Sequence, residues 1–154
     1  MSAHRATVDW TLDGDFLARG YSRAHTLSFD GGLTVPGSAS PHVVPLPYSR
    51  EDALDPEAAF TGSVAACHML WFLDFACRAG FAVGAYRDQA EGTLAKDADG
   101  RMAITHVVLR PAVVFLGERR PSPAEIEALH HQAHEACFIA NSIKTAVVVE
   151  PRKG

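Results

Sequence analysis

Cysteine is scarce in this chain, with three in 154 residues, at positions 67, 77 and 137. Three unevenly spaced cysteines exclude the disulfide framework of a small secreted domain. The opening residues, MSAHRATVDW, contain no apolar run that could act as an export signal. A reducing cytoplasm is the expected setting, where a cysteine that matters is more often reactive than structural. Basic excess is missing as well. A net charge of -4 and an isoelectric point near 6.0 leave no footprint for nucleic acid or for an anionic membrane surface. There is no CxxC pair, no glutamate placed among the histidines as in a metalloprotease, and no internal repeat.

What is present is a chain of ordinary globular make-up. With 47% hydrophobic and 21% charged residues it can bury a real core, and one domain over residues 1–154 is expected. Its centre of gravity is the stretch DPEAAFTGSVAACHMLWFLDFACRAG, Asp55 to Gly80. Asp55 can cap a helix, Pro56 suits the first helical position, and Glu57 complements the positive end of the helix dipole. Arg78 and Gly80 supply the matching stop. Between these ends the residues are apolar on nearly every face, which predicts a central helix covered from all sides.

Ala58 to Cys77 is also long enough to cross a bilayer. His68 and Asp74 would then lie at membrane depth, at a cost of a few kcal/mol for the acid, with no basic flank to orient the span. A core helix of a soluble domain is the expected reading.

Around this helix the chain predicts sheet. Ala6–Leu12 reads as a strand, Tyr21–Phe29 as a second, Asp30-Gly31-Gly32 as a turn, and Leu33–Val35 as the return. Pro36 to Leu54 carries four prolines and reads as an irregular connection that contains Arg50. Phe81–Lys96 reads as an irregular lead-in and one strand, Asp97–Gly100 as a turn, and Arg101–Leu116 as one long strand with Pro111 at a bulge or edge. Ser122-Pro123-Ala124-Glu125 has the spacing of a capping box and opens a second helix. Its expected buried stripe is Ile126, Leu129, Ala133, Ala136, Cys137 and Ala140, and its wet face Glu127, His131 and Glu135. Ala146–Val149 closes the chain as a strand. The order defines an α+β fold. One sheet covers only one side of a helix, so a homodimer burying the central helices together is expected.

Cys67 lies mid-helix in Ala65-Ala66-Cys67-His68, where small neighbours leave room for another group. A buried, inert thiol is the plain alternative. Cys137, on the buried stripe of the second helix, is distant enough in sequence for tertiary packing to bring it beside Cys67. Cys77 is the poorer partner: ten helical residues put it roughly 15 Å away, beyond the limit of about 7 Å between disulfide Cα atoms, and a packing role is expected for it. Glu57 is equally far along the same helix, so it could act at the Cys67 sulfur only from a partner subunit. His130, His134 and Cys137 fall at i, i+4, i+7, three ligand types on one face, but such a helical histidine pair is more often a solvated surface feature than a metal site, and no metal is expected.

Asp55-Pro56-Glu57 followed by Ala66-Cys67-His68, with a second cysteine in Ala133-His134-Glu135-Ala136-Cys137, resembles the OsmC/Ohr family of thiol-dependent peroxidases, the osmotically induced and organic hydroperoxide resistance proteins. Tyr21-Ser22-Arg23-Ala24-His25 and Phe29-Asp30-Gly31-Gly32 are similar to the N-terminal hairpin of the OsmC-like branch. The resemblance covers most of the chain; where many members have proline after the second cysteine, this one has Phe138.

The resemblance implies a single OsmC-like domain forming an intertwined α+β homodimer, its long central helices packed between β-sheets, with active sites at the subunit interface. It implies Cys67 as peroxidatic and Cys137 as resolving cysteine, closing an intramolecular disulfide, with Glu57 and an arginine at the thiolate: Arg23 by preference, Arg19 or Arg50 as alternatives. Met69, Leu70, Trp71 and Phe72 could line a pocket for an alkyl or fatty-acid hydroperoxide, although core packing accounts for them equally well. No cofactor is implied beyond the cysteines and an external reductant, a small dithiol or a lipoyl-bearing protein. Two rival readings are a thioesterase-like hydrolase, for which Asp74 is the lone acid far along the helix, and a non-catalytic binder of apolar ligands.

Overall fold

The computed structural model describes all of residues 1–154 and contains two helices, ten strands and one 3₁₀ turn. The chain divides into two compact units, Met1–Ala59 and Phe60–Gly154.

In the first unit β1 (Ala6–Asp9), β4 (His25–Phe29) and β5 (Thr34–Gly37) form an antiparallel sheet in the order β1-β4-β5. The turn between β4 and β5 uses Gly31 and Gly32 at φ +86° and +84°, conformations that glycine alone adopts without strain. The expected strand Tyr21–Phe29 is broken, because β2 (Gly14–Asp15) and β3 (Gly20–Tyr21) pair with each other in a separate small ribbon. From Ser38 to Leu54 the backbone is irregular, as the prolines predict, and is tied down where Ser38 N bonds Leu54 O at 3.1 Å and the Ser38 hydroxyl accepts from Arg50 N at 2.9 Å.

Helix α1 spans Pro56–Arg78. Asp55 caps it, its carboxylate accepting from Ala58 N at 2.7 Å. At the far end Phe81 N reaches Ala76 O at 2.9 Å and Gly80 N reaches Cys77 O at 3.0 Å, with Gly80 at φ +78°. Those paired bonds around a left-handed glycine are a Schellman stop.

In the second unit β6 (Ala82–Asp88) pairs antiparallel with β9 (Pro111–Leu116). A second sheet runs β10-β8-β7: β7 (Glu91–Lys96) and β8 (Met102–Leu109) form a hairpin, and β10 (Ala146–Val149) lies parallel to β8. Two expectations are corrected here. The lead-in after Gly80 is itself a strand, and Arg101–Leu116 is two strands in different sheets, divided at Arg110, whose N–H leaves the ladder to bond Asp88 at 2.6 Å. Helix α2 (Pro123–Ala136) starts on the capping box: Glu125 N donates to the Ser122 hydroxyl and Ser122 N to the Glu125 carboxylate.

Within this unit the buried stripe of α1 is Val64, His68, Phe72 and Ala76, one residue per turn. Phe72 and Ala76 pack with Phe81, Phe115, Leu129 and Ala133, and Val64 with Val107 and Leu109. Only one side of the helix is covered by its own chain. Leu70 stays 63% exposed, and although α1 has the length and hydropathy of a membrane span, its inner stripe is already committed to protein contacts.

Candidate active site

Two thiols meet in the second unit. Cys67 projects from the middle of α1, half-buried, and Cys137 caps the C-terminus of α2, buried. The two side chains are near enough that Cys67 acts on the Cys137 thiol. All three cysteines are free thiols.

Cys137 sits where α2 gives way to the 3₁₀ turn Ala140–Ser142. Its own N–H bonds His134 O at 3.2 Å, and the Ala140 N–H is directed at its sulfur at 3.4 Å. Burial pushes the Cys137 thiol up, the adjoining Cys67 adds to that rise, and the backbone donors from Ala140 and Ile139 oppose it. The proton is therefore held on Cys137, the sulfur that has least exposure to water.

Beneath the thiols is a polar cluster. His68, next to Cys67 in sequence, and His130 of α2 stack at 5.3 Å between ring centroids, 8° from parallel, with His68 Nε2 and His130 Nδ1 3.0 Å apart. Both are buried, at 1% and 4% exposure. Burial lowers both to a pKa of about 4, and His130 and His134 add electrostatically to the shift of His68. The reading of His130 as a solvated surface histidine is thus corrected: it stacks on Phe72 at 4.3 Å, inside the core. The signal was its spacing, since His130 adjoins Leu129 and precedes Ala133 by three on the same stripe. His130, His134 and Cys137 do not gather as ligands, and no group of three or more His, Cys, Asp or Glu is placed to hold an ion.

Among the four residues considered for a substrate pocket, Phe72 is fully buried in the core and Leu70 is exposed. Trp71 stacks on Phe75 at 5.6 Å and meets Phe138 edge-on at 5.4 Å, with Met69 partly buried. Four consecutive helical residues point in four directions, so they do not form one wall. Cys77, expected to pack, is exposed.

The arginine candidates and Glu57 belong to the first unit. Arg23 is held by the hairpin: its guanidinium donates to Arg19 O and Tyr21 O and lies 3.8 Å from the Tyr21 ring centroid and 5.9 Å from that of Tyr48. Arg19 takes a positive φ of 62°. Arg50 makes a two-pronged contact with Asp52 at 2.9 and 2.7 Å, both groups solvent-exposed. Glu57 lies in the first turn of α1.

A long helix bearing a mid-helix cysteine, beside a second helix that ends in another, defines an α+β protein with a paired-thiol site. The chain belongs to the OsmC-like protein family, whose pattern matches residues 49–152. Its fold matches that of an OsmC-like protein of unknown function from Vibrio cholerae at 49% identity and a TM-score of 0.97, covering 99% of this chain and 100% of that one. An organic hydroperoxide resistance protein from Elizabethkingia anophelis shares the fold at 16% identity, TM-score 0.72, over 100% and 98% of the two chains. The organic hydroperoxide resistance protein OhrB of Bacillus subtilis does so at 21% identity, TM-score 0.67, over 96% and 98%. No curated protein matches.

Proposed function

We propose that this protein is a cytoplasmic thiol-dependent peroxidase that reduces organic hydroperoxides to alcohols. The observation that carries the reading is the pairing of two free thiols from different helices, Cys67 in the middle of α1 and Cys137 at the C-terminus of α2, near enough for one to act on the other.

A cysteine of ordinary pKa, about 8.5, is mostly protonated at neutral pH, and the thiolate is the nucleophile. In the proposed cycle the Cys67 thiolate attacks the outer oxygen of the hydroperoxide. The O–O bond breaks, Cys67 becomes a sulfenic acid, and the alkoxide takes a proton and leaves as the alcohol. The Cys137 sulfur then attacks the Cys67 sulfenic sulfur, its proton leaves with the hydroxyl as water, and a disulfide forms. An external dithiol, a small molecule or a lipoyl-bearing protein, returns both sulfurs to thiols by exchange and is itself oxidised. Cys137 suits the second step: it is more exposed to another sulfur than to water, and the Ala140 N–H faces its sulfur.

Arg23 and Glu57 are the proposed partners of thiolate and peroxide, the arginine as the cation that favours the thiolate and the glutamate as the group that orients it through a charge-assisted pair. Because Glu57 is ten residues from Cys67 on one helix, the pairing operates across a homodimer. The uncovered side of α1 and the exposed residues of β1 supply surface for that assembly.

Free-thiol counting and intact mass after one equivalent of cumene hydroperoxide test this reading. Loss of two thiols in the wild type, with none lost in Cys67→Ser, is the expected result. Survival of all three thiols at a peroxide concentration that consumes free cysteine would leave the chain a non-catalytic member of the family.

A further inference from the structure

A second feature of the C-terminal unit lies away from the thiols. Between α2, β9, β10 and the segment Pro151–Gly154 is a cavity of about 670 Å³, within the range typical of small-molecule sites. Its walls include Val113, Phe115, Ile126 and Val147, and its mouth carries Arg152 and Lys153. His130 also faces it, 4% exposed, with its Nε2 lacking a hydrogen-bond partner, as does the Nδ1 of His134. Neither Cys67 nor Cys137 lines this space.

A buried imidazole nitrogen without a partner costs about 1–3 kcal/mol, and the His130 ring stands in the wall of a space whose occupant could relieve it. Only one proton lies between His68 Nε2 and His130 Nδ1. When His68 holds it, His130 carries its own proton on Nε2 and presents a donor to the cavity; when His130 holds it, Nε2 is bare. The two cations at the mouth decide which occupant suits the site. Glu127 also lines it, and Arg152 is loosely paired with Glu150 at 3.6 Å, which leaves Lys153 and part of the Arg152 fork for an anion.

We propose that this cavity binds an amphipathic monocarboxylate, its apolar chain against Val113, Phe115 and Ile126 and its carboxylate between the His130 Nε2–H and the cations at the mouth. Binding selects the tautomer in which His68 holds the shared proton.

Titration of the full-length reduced protein with dodecanoate, using dodecan-1-ol as the uncharged control and following binding by calorimetry and the ¹⁵N resonances of the histidines, tests the site. Expected are saturable binding of one dodecanoate per chain, roughly tenfold weaker binding of the alcohol for loss of a charge-assisted hydrogen bond, and movement of the His130 Nε2 resonance to its protonated position. Ile126→Trp, and independently Val113→Trp, fill the cavity and lower affinity at least tenfold, and Arg152→Gln with Lys153→Gln brings dodecanoate down to the affinity of the alcohol. The proposal is overturned if dodecanoate does not bind saturably, if acid and alcohol bind equally, or if a folded tryptophan variant binds as the wild type does. Occupation of the cavity by a second copy of the chain would appear as the first of these.

Discussion

Two pairs of side chains dominate at the scale of single residues, one of sulfur and one of imidazole. In the proposed cycle Cys137→Ser leaves the Cys67 sulfenic acid without a partner, so the expected product under excess hydroperoxide is the sulfinic or sulfonic acid at Cys67, read as added oxygen by intact mass. The histidines give a pH prediction. Both have folded-state pKa values of about 4, below the ordinary value of about 6.5. The unfolded chain therefore binds more protons than the folded one between those limits. Stability is unaffected above about pH 6.5 and falls as pH drops toward 4, with a slope of up to about 1.4 kcal/mol per histidine per pH unit. Urea denaturation at pH 7, 6, 5 and 4.5 measures it, and a flat profile contradicts it. His130→Ala removes one partner and opens a hole beside Phe72, so a loss of roughly 2–4 kcal/mol at pH 7 is expected. None of this was visible in the residue types, because histidine on a helix surface is the commoner case and what buries His130 is a ring from another helix.

Among the elements, legibility followed locality. Both ends of α1 and the start of α2 were readable to within a residue or two because they are written in adjacent side chains, Asp55 and Pro56, Gly80, and the Ser122–Glu125 box. The expected stripe of α2, by contrast, ran on to Ala140, whereas the helix stops at Ala136, with Ala140 in the 3₁₀ turn. These ends also yield predictions. Gly80→Ala places a Cβ in a left-handed conformation and 3.0 Å from Arg119, for an expected cost of about 1–2 kcal/mol; Ser122→Ala removes a cap, worth about 1 kcal/mol. Thermal denaturation of the two variants against wild type checks both. The strands were less readable. β6 and β9 were missed as separate strands because their partners are distant in sequence, and the break at Arg110 depends on Asp88, twenty-two residues away. The short β2–β3 ribbon is two residues wide and leaves no periodic trace. Helix spacing made Cys137 a possible partner for Cys67 and Cys77 a poor one, but the roles of the two thiols came only through resemblance, since no local pattern states that α1 and α2 meet at residues 67 and 137.

For the molecule as a whole, the unfinished surface of α1 sets the question of assembly. A single chain buries one stripe of an almost uniformly apolar helix, and the proposed homodimer accounts for the remainder. Sedimentation at micromolar concentration is expected to give twice the chain mass of 16.5 kDa, and Leu70→Arg on the exposed side to shift the balance toward monomer and lower the melting temperature. The parallel pairing of β10 with β8 bears on how the fold is acquired. Val147 and Val149 lie opposite Val107 and Leu109, so one edge of β8 stays unsealed until the whole of β9, α2 and the 3₁₀ turn has left the ribosome. Until then a strand rich in valine has a free edge, the kind of template on which nascent chains associate wrongly. Production of this protein in soluble form is therefore sensitive to any event that delays or removes residues 146–149, even though those residues contribute neither thiol nor imidazole.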